Sequence, residues 1–141
     1  MFERNYVAGM KKIVFIIEMA KDGGFSCYTN EKFDGFALYG YGDSVSETKE
    51  DLLELYEEIK EINKEQGIET PELEFEFRYD IASFFEYFKM LNMSEVARMS
   101  GINESQMRRY KTRKINASQK TYDKLYNCVQ NIGRELLDVK F

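Results

Sequence analysis

Histidine and tryptophan are absent from this 141-residue chain, and proline occurs once, at Pro71. Without imidazole there is no Ser-His or Cys-His nucleophile pair and no His-ligated metal. Cysteine is limited to Cys27 and Cys128, one in each half. They form neither a disulfide framework nor a CxxC pair, and read as buried thiols of a reducing cytosol. No run approaches the roughly 18 apolar residues that a membrane helix needs. The apolar stretch near the start lacks the small-residue cleavage site of a signal peptide. A cytoplasmic protein without a membrane partner is expected.

What is present is a core-forming composition, 43% hydrophobic and 15% aromatic. Tyrosine and phenylalanine supply the large side chains. The net charge of −5 conceals a division. Residues 1–80 hold 9 basic and 19 acidic residues, a net of −10, whereas residues 81–141 hold 11 and 6, a net of +5. An acidic half joined to a basic half implies two different partners. The plainer alternative for the acidic half is a solvated, Glu-rich helix face.

Residues 1–10 carry no clear pattern and suit a loose end or a short helix. Lys12 to Glu18 reads as a central strand, apolar on both faces. Asp22-Gly23-Gly24 marks a turn, and Phe25, Cys27 and Thr29 share one face of a second strand. After Asp34-Gly35, a third strand spans Phe36 to Tyr41, its end loosened by Gly40 and Gly42. Ser44 and Glu47 form a capping box for a long helix. Leu52, Leu55, Tyr56, Ile59 and Ile62 line its apolar stripe, and Glu50, Glu54, Glu57, Glu58 and Glu61 face away. Gly67 ends it. Beyond Pro71, Leu73, Phe75, Phe77 and Tyr79 alternate with Glu72, Glu74, Glu76 and Arg78 as a fourth strand. The order β-β-β-α-β defines a small α+β domain over residues 1–79.

The period then changes. Ile81, Phe84, Phe85, Phe88 and Leu91 hold helical spacing through Leu91. The stretch Met93 to Lys124 has the layout of a helix-turn-helix. Asn92 or Ser94 caps its first helix, and Gly101 stops it with a positive φ. Asn103 caps the second helix, with Gln106 completing a capping box. Val96, Ile102, Met107 and Tyr110 point inward. From Arg98 to Lys124 there are eight basic residues against two acids, a net of +6. That bias favours a DNA-binding pair over an ordinary helical hairpin. Ser118 caps a last helix burying Tyr122, Leu125, Tyr126, Val129, Ile132 and Leu136, with Gly133 placed to end or bend it. Asp138 to Phe141 suits a short tail strand. Residues 80–141 thus form an all-α helix-turn-helix domain.

These positions carry a family resemblance. Val96, Ala97, Gly101, Ile102, Ser105, Met107, Tyr110, Ser118, Thr121 and Leu125 resemble the repressor-type helix-turn-helix of the Xre and Cro class. The strand before Asp22-Gly23-Gly24-Phe25, the Asp34-Gly35 turn, and Gly42-Asp43-Ser44 with its acidic helix look like a HicB antitoxin domain. The run GINESQMRRY, with ASQKTYDKL and NIGRELL behind it, is similar to the C-terminal half of HicB-like proteins. The resemblance implies a partial ribonuclease H-like sheet without catalytic acids. It also implies an antitoxin that neutralises a small ribonuclease toxin, HicA, and represses its own operon. Two positions depart from the pattern. Met93 stands where a phosphate-contacting Gln is usual, and Ala117 replaces a proline before the last helix.

On this reading Glu104, Ser105 and Arg109 meet base edges, with Arg108 in reserve. Asn103, Lys111, Arg113 and Lys114 hold phosphates. Because one such unit reads only a half-site, a homodimer or larger even assembly on operator DNA is expected. Its joining surface is the last helix with its tail, or else the N-terminal sheet. A HicA-like toxin must be basic to hold RNA, so the acids Glu54, Glu57 and Glu61 are expected to meet it, with Tyr39 and Tyr41 as apolar anchors. No cofactor, metal or catalytic residue is expected. The competing enzyme reading would have Glu18, Asp22 and Asp43 hold Mg²⁺ at the strand ends. Turn and cap roles explain those aspartates more simply. The other alternative is a stand-alone regulator whose N-terminal domain dimerises or senses a ligand.

Overall fold

Ile13, Phe15 and Ile17 alternate with Val14 and Ile16 along β1 (Met10–Met19). In the computed structural model the first three are buried and the other two half-buried. The structure describes residues 10–141. Apart from Met10, which opens β1, the expected loose end or short helix over 1–10 lies outside the described residues. The two-sided apolar pattern suits an interior strand, and the sheet order is β3-β2-β1-β4. β2 (Phe25–Tyr28) and β3 (Tyr39–Gly42) add antiparallel neighbours on one side. β4 (Glu72–Tyr79) lies parallel to β1 on the other, with Phe15 opposite Phe77. A parallel pair needs a crossover, and α1 (Val45–Glu65) supplies it. The described residues thus form an α+β arrangement with a mixed four-stranded sheet and five helices.

The turns follow from local chemistry. Gly23 has φ 93°, and the Asp22 carboxylate accepts the Gly24 N–H at 2.9 Å, closing the β1–β2 turn. The third strand begins at Tyr39 and not at Phe36. Phe33 and Phe36 stack with centroids 4.8 Å apart, half-buried against the core, and Leu38 is buried. These side chains reach the core from a loop, with no ladder needed. Gly40 and Gly42 do not loosen the strand end, as expected from the sequence, but let α1 approach it. A Cβ on Gly40 would lie 2.4 Å from the Thr48 carbonyl oxygen, and one on Gly42 2.7 Å from the Thr48 nitrogen.

Ser44 caps α1 by accepting the Glu47 N–H at 3.1 Å. The Glu47 carboxylate accepts from the Asp43 N–H at 3.0 Å, one residue ahead of the usual capping-box donor. Leu52 and Tyr56 are buried, Leu55 and Ile59 half-buried, but Ile62 is exposed. A 21-residue helix spans about 31 Å, more than twice the length of the four-residue strands β2 and β3 beneath it. The Tyr56 hydroxyl donates to the Pro71 carbonyl at 2.6 Å, and the Asn63 amide to Thr70 Oγ1 at 2.8 Å. These bonds fix the entry to β4. On the opposite side of β4, Glu76 pairs with Lys12 at 2.8 Å, and the hydrogen bond from that ammonium holds its carboxyl below the usual range.

A second compact unit begins at Ile81. Its helices are α2 (Ile81–Tyr87), α3 (Met93–Ser100), α4 (Glu104–Lys111) and α5 (Gln119–Leu137). α2 stops at Tyr87, short of the expected Leu91. The Leu91 N–H turns back to the Phe88 carbonyl, and Asn92 caps α3 by accepting the Glu95 N–H at 3.0 Å. A competing cap thus divides what periodicity joins. α5 runs unbroken through Gly133 to Leu137. It buries Leu125 and Cys128, leaves Tyr122, Val129 and Ile132 half-buried, and exposes Tyr126 and Leu136, contrary to expectation. Asp138 to Phe141 is irregular, not a strand. Both cysteines are free and buried, and burial pushes the Cys27 thiol up to about 11.

Candidate nucleic-acid interface

Small residues and caps determine the α3–α4 corner. Ala97 is fully buried where the two helices meet, alongside Val96, Ile102 and Met107. Gly101 takes φ 75°, and the Ile102 N–H reaches back to the Ala97 carbonyl at 2.9 Å, a Schellman-type ending. Asn103 then accepts the Gln106 N–H at 3.2 Å. Three residues therefore separate two eight-residue helices. Lys124 of α5 donates to the Gly101 carbonyl at 3.5 Å, so a charged side chain also braces the corner. Tyr110 is half-buried, not inside the core.

The expected contact residues divide by what already holds them. Ser94 Oγ donates to Glu104 Oε1 at 2.6 Å, and Arg108 donates to the same oxygen at 3.3 Å. Arg108 also reaches Ser105 Oγ at 3.4 Å. Glu104, Ser105 and Arg108 thus form a network at the start of α4, and Asn103 is occupied as its cap. Arg113, at φ 60°, donates to Ser83 Oγ of α2 at 3.2 Å, so its guanidinium serves the loop after α4. Arg109, Lys111 and Lys114 are exposed and make no side-chain ion pair among the described residues. The exposed face of α4 therefore carries positive charge with uncommitted donors, the type of surface that binds an anionic backbone. Sequence periodicity indicates the exposed face. It does not show that Glu104 bridges to Ser94, nor that Arg113 turns to Ser83, because those partners lie ten and thirty residues away.

In the first unit the five residues expected at a toxin surface do not share one face. Gly40 and Gly42 turn their α-carbons toward α1, so the alternating Tyr39 and Tyr41 project from the other side of the sheet. Both are exposed, with ring centroids 5.7 Å apart. Glu54, Glu57 and Glu61 lie on the solvent side of α1. Apolar side chains flank them on opposite edges of the helix. Leu53 and Ile62 are exposed, and a shallow groove runs along Leu55, Glu58, Ile59, Ile62 and Glu65. The exposure of Ile62 follows from the helix outrunning the strands, which composition does not reveal.

Glu18, Asp22 and Asp43 each sit in a local setting of their own. Glu18 accepts from the Tyr28 hydroxyl at 2.8 Å, Asp22 closes its turn, and Asp43 precedes the α1 cap. Among the described residues no group of three potential ligands could hold a metal ion. Among them, too, no helix is long and apolar enough to cross a membrane. No family model matches the chain, and neither the curated proteins nor the solved structures contain a significant match.

Proposed function

We propose that the chain is a DNA-binding antitoxin of the HicB type. Its second unit binds operator DNA through α4, as a repressor-type helix-turn-helix, and its first unit binds a small basic ribonuclease. The observation that carries the reading is the exposed end of α4, where Arg109, Lys111 and, just beyond the helix, Lys114 stand without acidic partners among the described residues on a capped and braced helix pair. The opposite net charges of the two halves support two partners of opposite sign. On the first unit the α1 face offers both acids and an apolar anchor, Ile62, which lines one groove with Glu57, Glu58 and Glu61. It therefore replaces Tyr39 and Tyr41 in the proposed toxin surface. Cytoplasmic location and autorepression belong to the same proposal.

The test is fluorescence anisotropy of the purified chain on two duplexes, the DNA upstream of its own reading frame and a random sequence of equal length. Preference for the upstream duplex, with affinity falling linearly on a log–log salt plot, is the expected result. Absence of binding to both at low salt would remove the DNA-binding role.

A further inference from the structure

The sheet face turned away from α1 gathers three tyrosines around one serine. The register sets Ser26 opposite Tyr41 and Tyr28 opposite Tyr39, and on the other side of β2 it sets Ser26 opposite Glu18. Side chains alternate along a strand, and the neighbours Ile17, Cys27 and Gly40 are buried toward α1. Glu18, Ser26, Tyr28, Tyr39 and Tyr41 therefore project together from the opposite face. Ser26 is the smallest of the five and half-buried, so it forms a floor between larger walls. The Tyr28 hydroxyl donates to Glu18 Oε2 at 2.8 Å, and these two side chains close the side toward β1. On the side of β3 the rings of Tyr39 and Tyr41 stand with their planes at 60°, so they present two faces at an angle and not a closed stack. The backbones beneath Glu18 and Tyr41 are two inter-strand spacings apart, about 10 Å. The Tyr41 N–H donates to the Asp51 carboxylate of α1 at 2.9 Å, which fixes that wall and closes the strand edge there to an added strand.

The electrostatics of this recess are one-sided. Glu18 is half-buried, and its carboxylate is bonded by the Tyr28 hydroxyl but by no cation among the described residues. The basic side chains on the same face, Lys12 and Arg78, both pair with Glu76. Aromatic faces are the negative side of a quadrupole, so the carboxylate and the three rings add potential of one sign at one place. We propose that the recess binds a small quaternary ammonium compound, its methylated nitrogen over Ser26 among Tyr28, Tyr39 and Tyr41, with Glu18 balancing the charge. The preference for a methylated nitrogen follows from hydration. A shallow, exposed site does not replace the water held by the N–H donors of a primary ammonium, whereas a methylated nitrogen has none of those bonds to lose. The same negative potential repels phosphates, so a nucleic-acid strand stacked on the tyrosines is disfavoured. The site lies on a face that neither the proposed DNA surface nor the proposed toxin surface uses, and it depends on neither of those readings.

The test is titration of the full chain with choline, followed by nuclear magnetic resonance of the tyrosine rings. The comparison ligand is the neutral alcohol in which a tert-butyl group replaces the trimethylammonium group. Choline shifts the ring signals of Tyr28, Tyr39 and Tyr41 with a Kd on the order of 1 mM, and the neutral isostere binds about tenfold more weakly or worse. Tyr41 is the most exposed of the five side chains, so its replacement leaves the fold intact. Tyr41→Leu weakens choline binding about fivefold, whereas Tyr41→Phe, which keeps the ring face, binds as the wild type does. Glu18→Gln keeps an acceptor for the Tyr28 hydroxyl but removes the charge, and weakens binding by about fivefold as well. Equal affinity for choline and its neutral isostere overturns the proposal, as does wild-type affinity in both Tyr41→Leu and Glu18→Gln. An unmethylated lysine amide that binds as tightly as choline overturns it too.

Discussion

Gly40 and Gly42 show how much a single missing Cβ decides. Both lie on the side of β3 that faces α1, paired across the ladder with Cys27 and Phe25. The helix backbone occupies the space that a side chain would take. Around Gly40 the obstruction is Thr48 O and Leu52 N, backbone atoms that cannot swing aside. Gly40→Ala must therefore push α1 away from the sheet, exposing the cluster around Leu52, Ile17 and Cys27. The expected cost is about 2 kcal/mol or more, read as a lower urea midpoint for the first unit. An unchanged midpoint would show that the helix can slide without penalty. Thr48 responds to the same closeness. It is fully buried, and its hydroxyl donates to the Ser44 carbonyl at 2.8 Å, so this buried polar atom is satisfied within the first turn of the helix.

α4 combines groups that are already committed with groups that are not. Glu104, Arg108 and Asn103 hold the helix in place, whereas Arg109, Lys111 and Lys114 have their donors free for a ligand. A braced frame beneath exposed cations favours recognition, because the frame sets register while the cations find oxygens. The two kinds of cation are expected to behave differently. Arg109→Ala should reduce discrimination at one base pair by about 1–3 kcal/mol, with little effect on random DNA. Lys114→Ala should weaken operator and random duplexes alike and lower the salt slope by about one. Equal losses on both duplexes for the two variants would show that Arg109 reads no base. Arg113 is not included in this comparison. Its bond to Ser83 makes its replacement a change to the loop as well as to charge.

Across the whole molecule, two units of opposite charge share one chain, with a net of −10 before Ile81 and +5 from it onward. Opposite charges on one chain let it meet a basic and an acidic partner without using the same surface for both. The proposed toxin surface on α1 is tested by reversing Glu54, Glu57 and Glu61 to Lys together. The ligand in this test is a small basic ribonuclease of the HicA type, the partner proposed above. The association rate at low salt should fall by tenfold or more and converge with wild type at high salt, because complementary charge acts mainly on encounter. DNA affinity of the variant should not fall, since these residues lie in the other unit. An unchanged rate at low salt would mean that the acids serve only to keep α1 solvated.

The sequence by itself determined the elements whose signals are local. Caps at Ser44, Asn103 and Ser118 place the starts of α1, α4 and α5, and strict alternation places β4, whereas the sequence left the α3 cap between Asn92 and Ser94 and the fold uses Asn92. Glycines at 23, 67 and 101 mark the positive-φ turns. Such features depend on bonds between near neighbours, so a reading along the chain finds them. Tertiary structure alone decided the strand order, which sets β4 parallel to β1 at one edge and β3 at the other. It also decided that Tyr39 and Tyr41 face away from α1, and that Tyr126 and Leu136 stay uncovered on α5. Periodicity states which residues share a face, but not where the packed neighbour ends. α1 and α5 are longer than the surfaces that they cover, so their apolar stripes continue past the core, and only the folded chain shows where that happens.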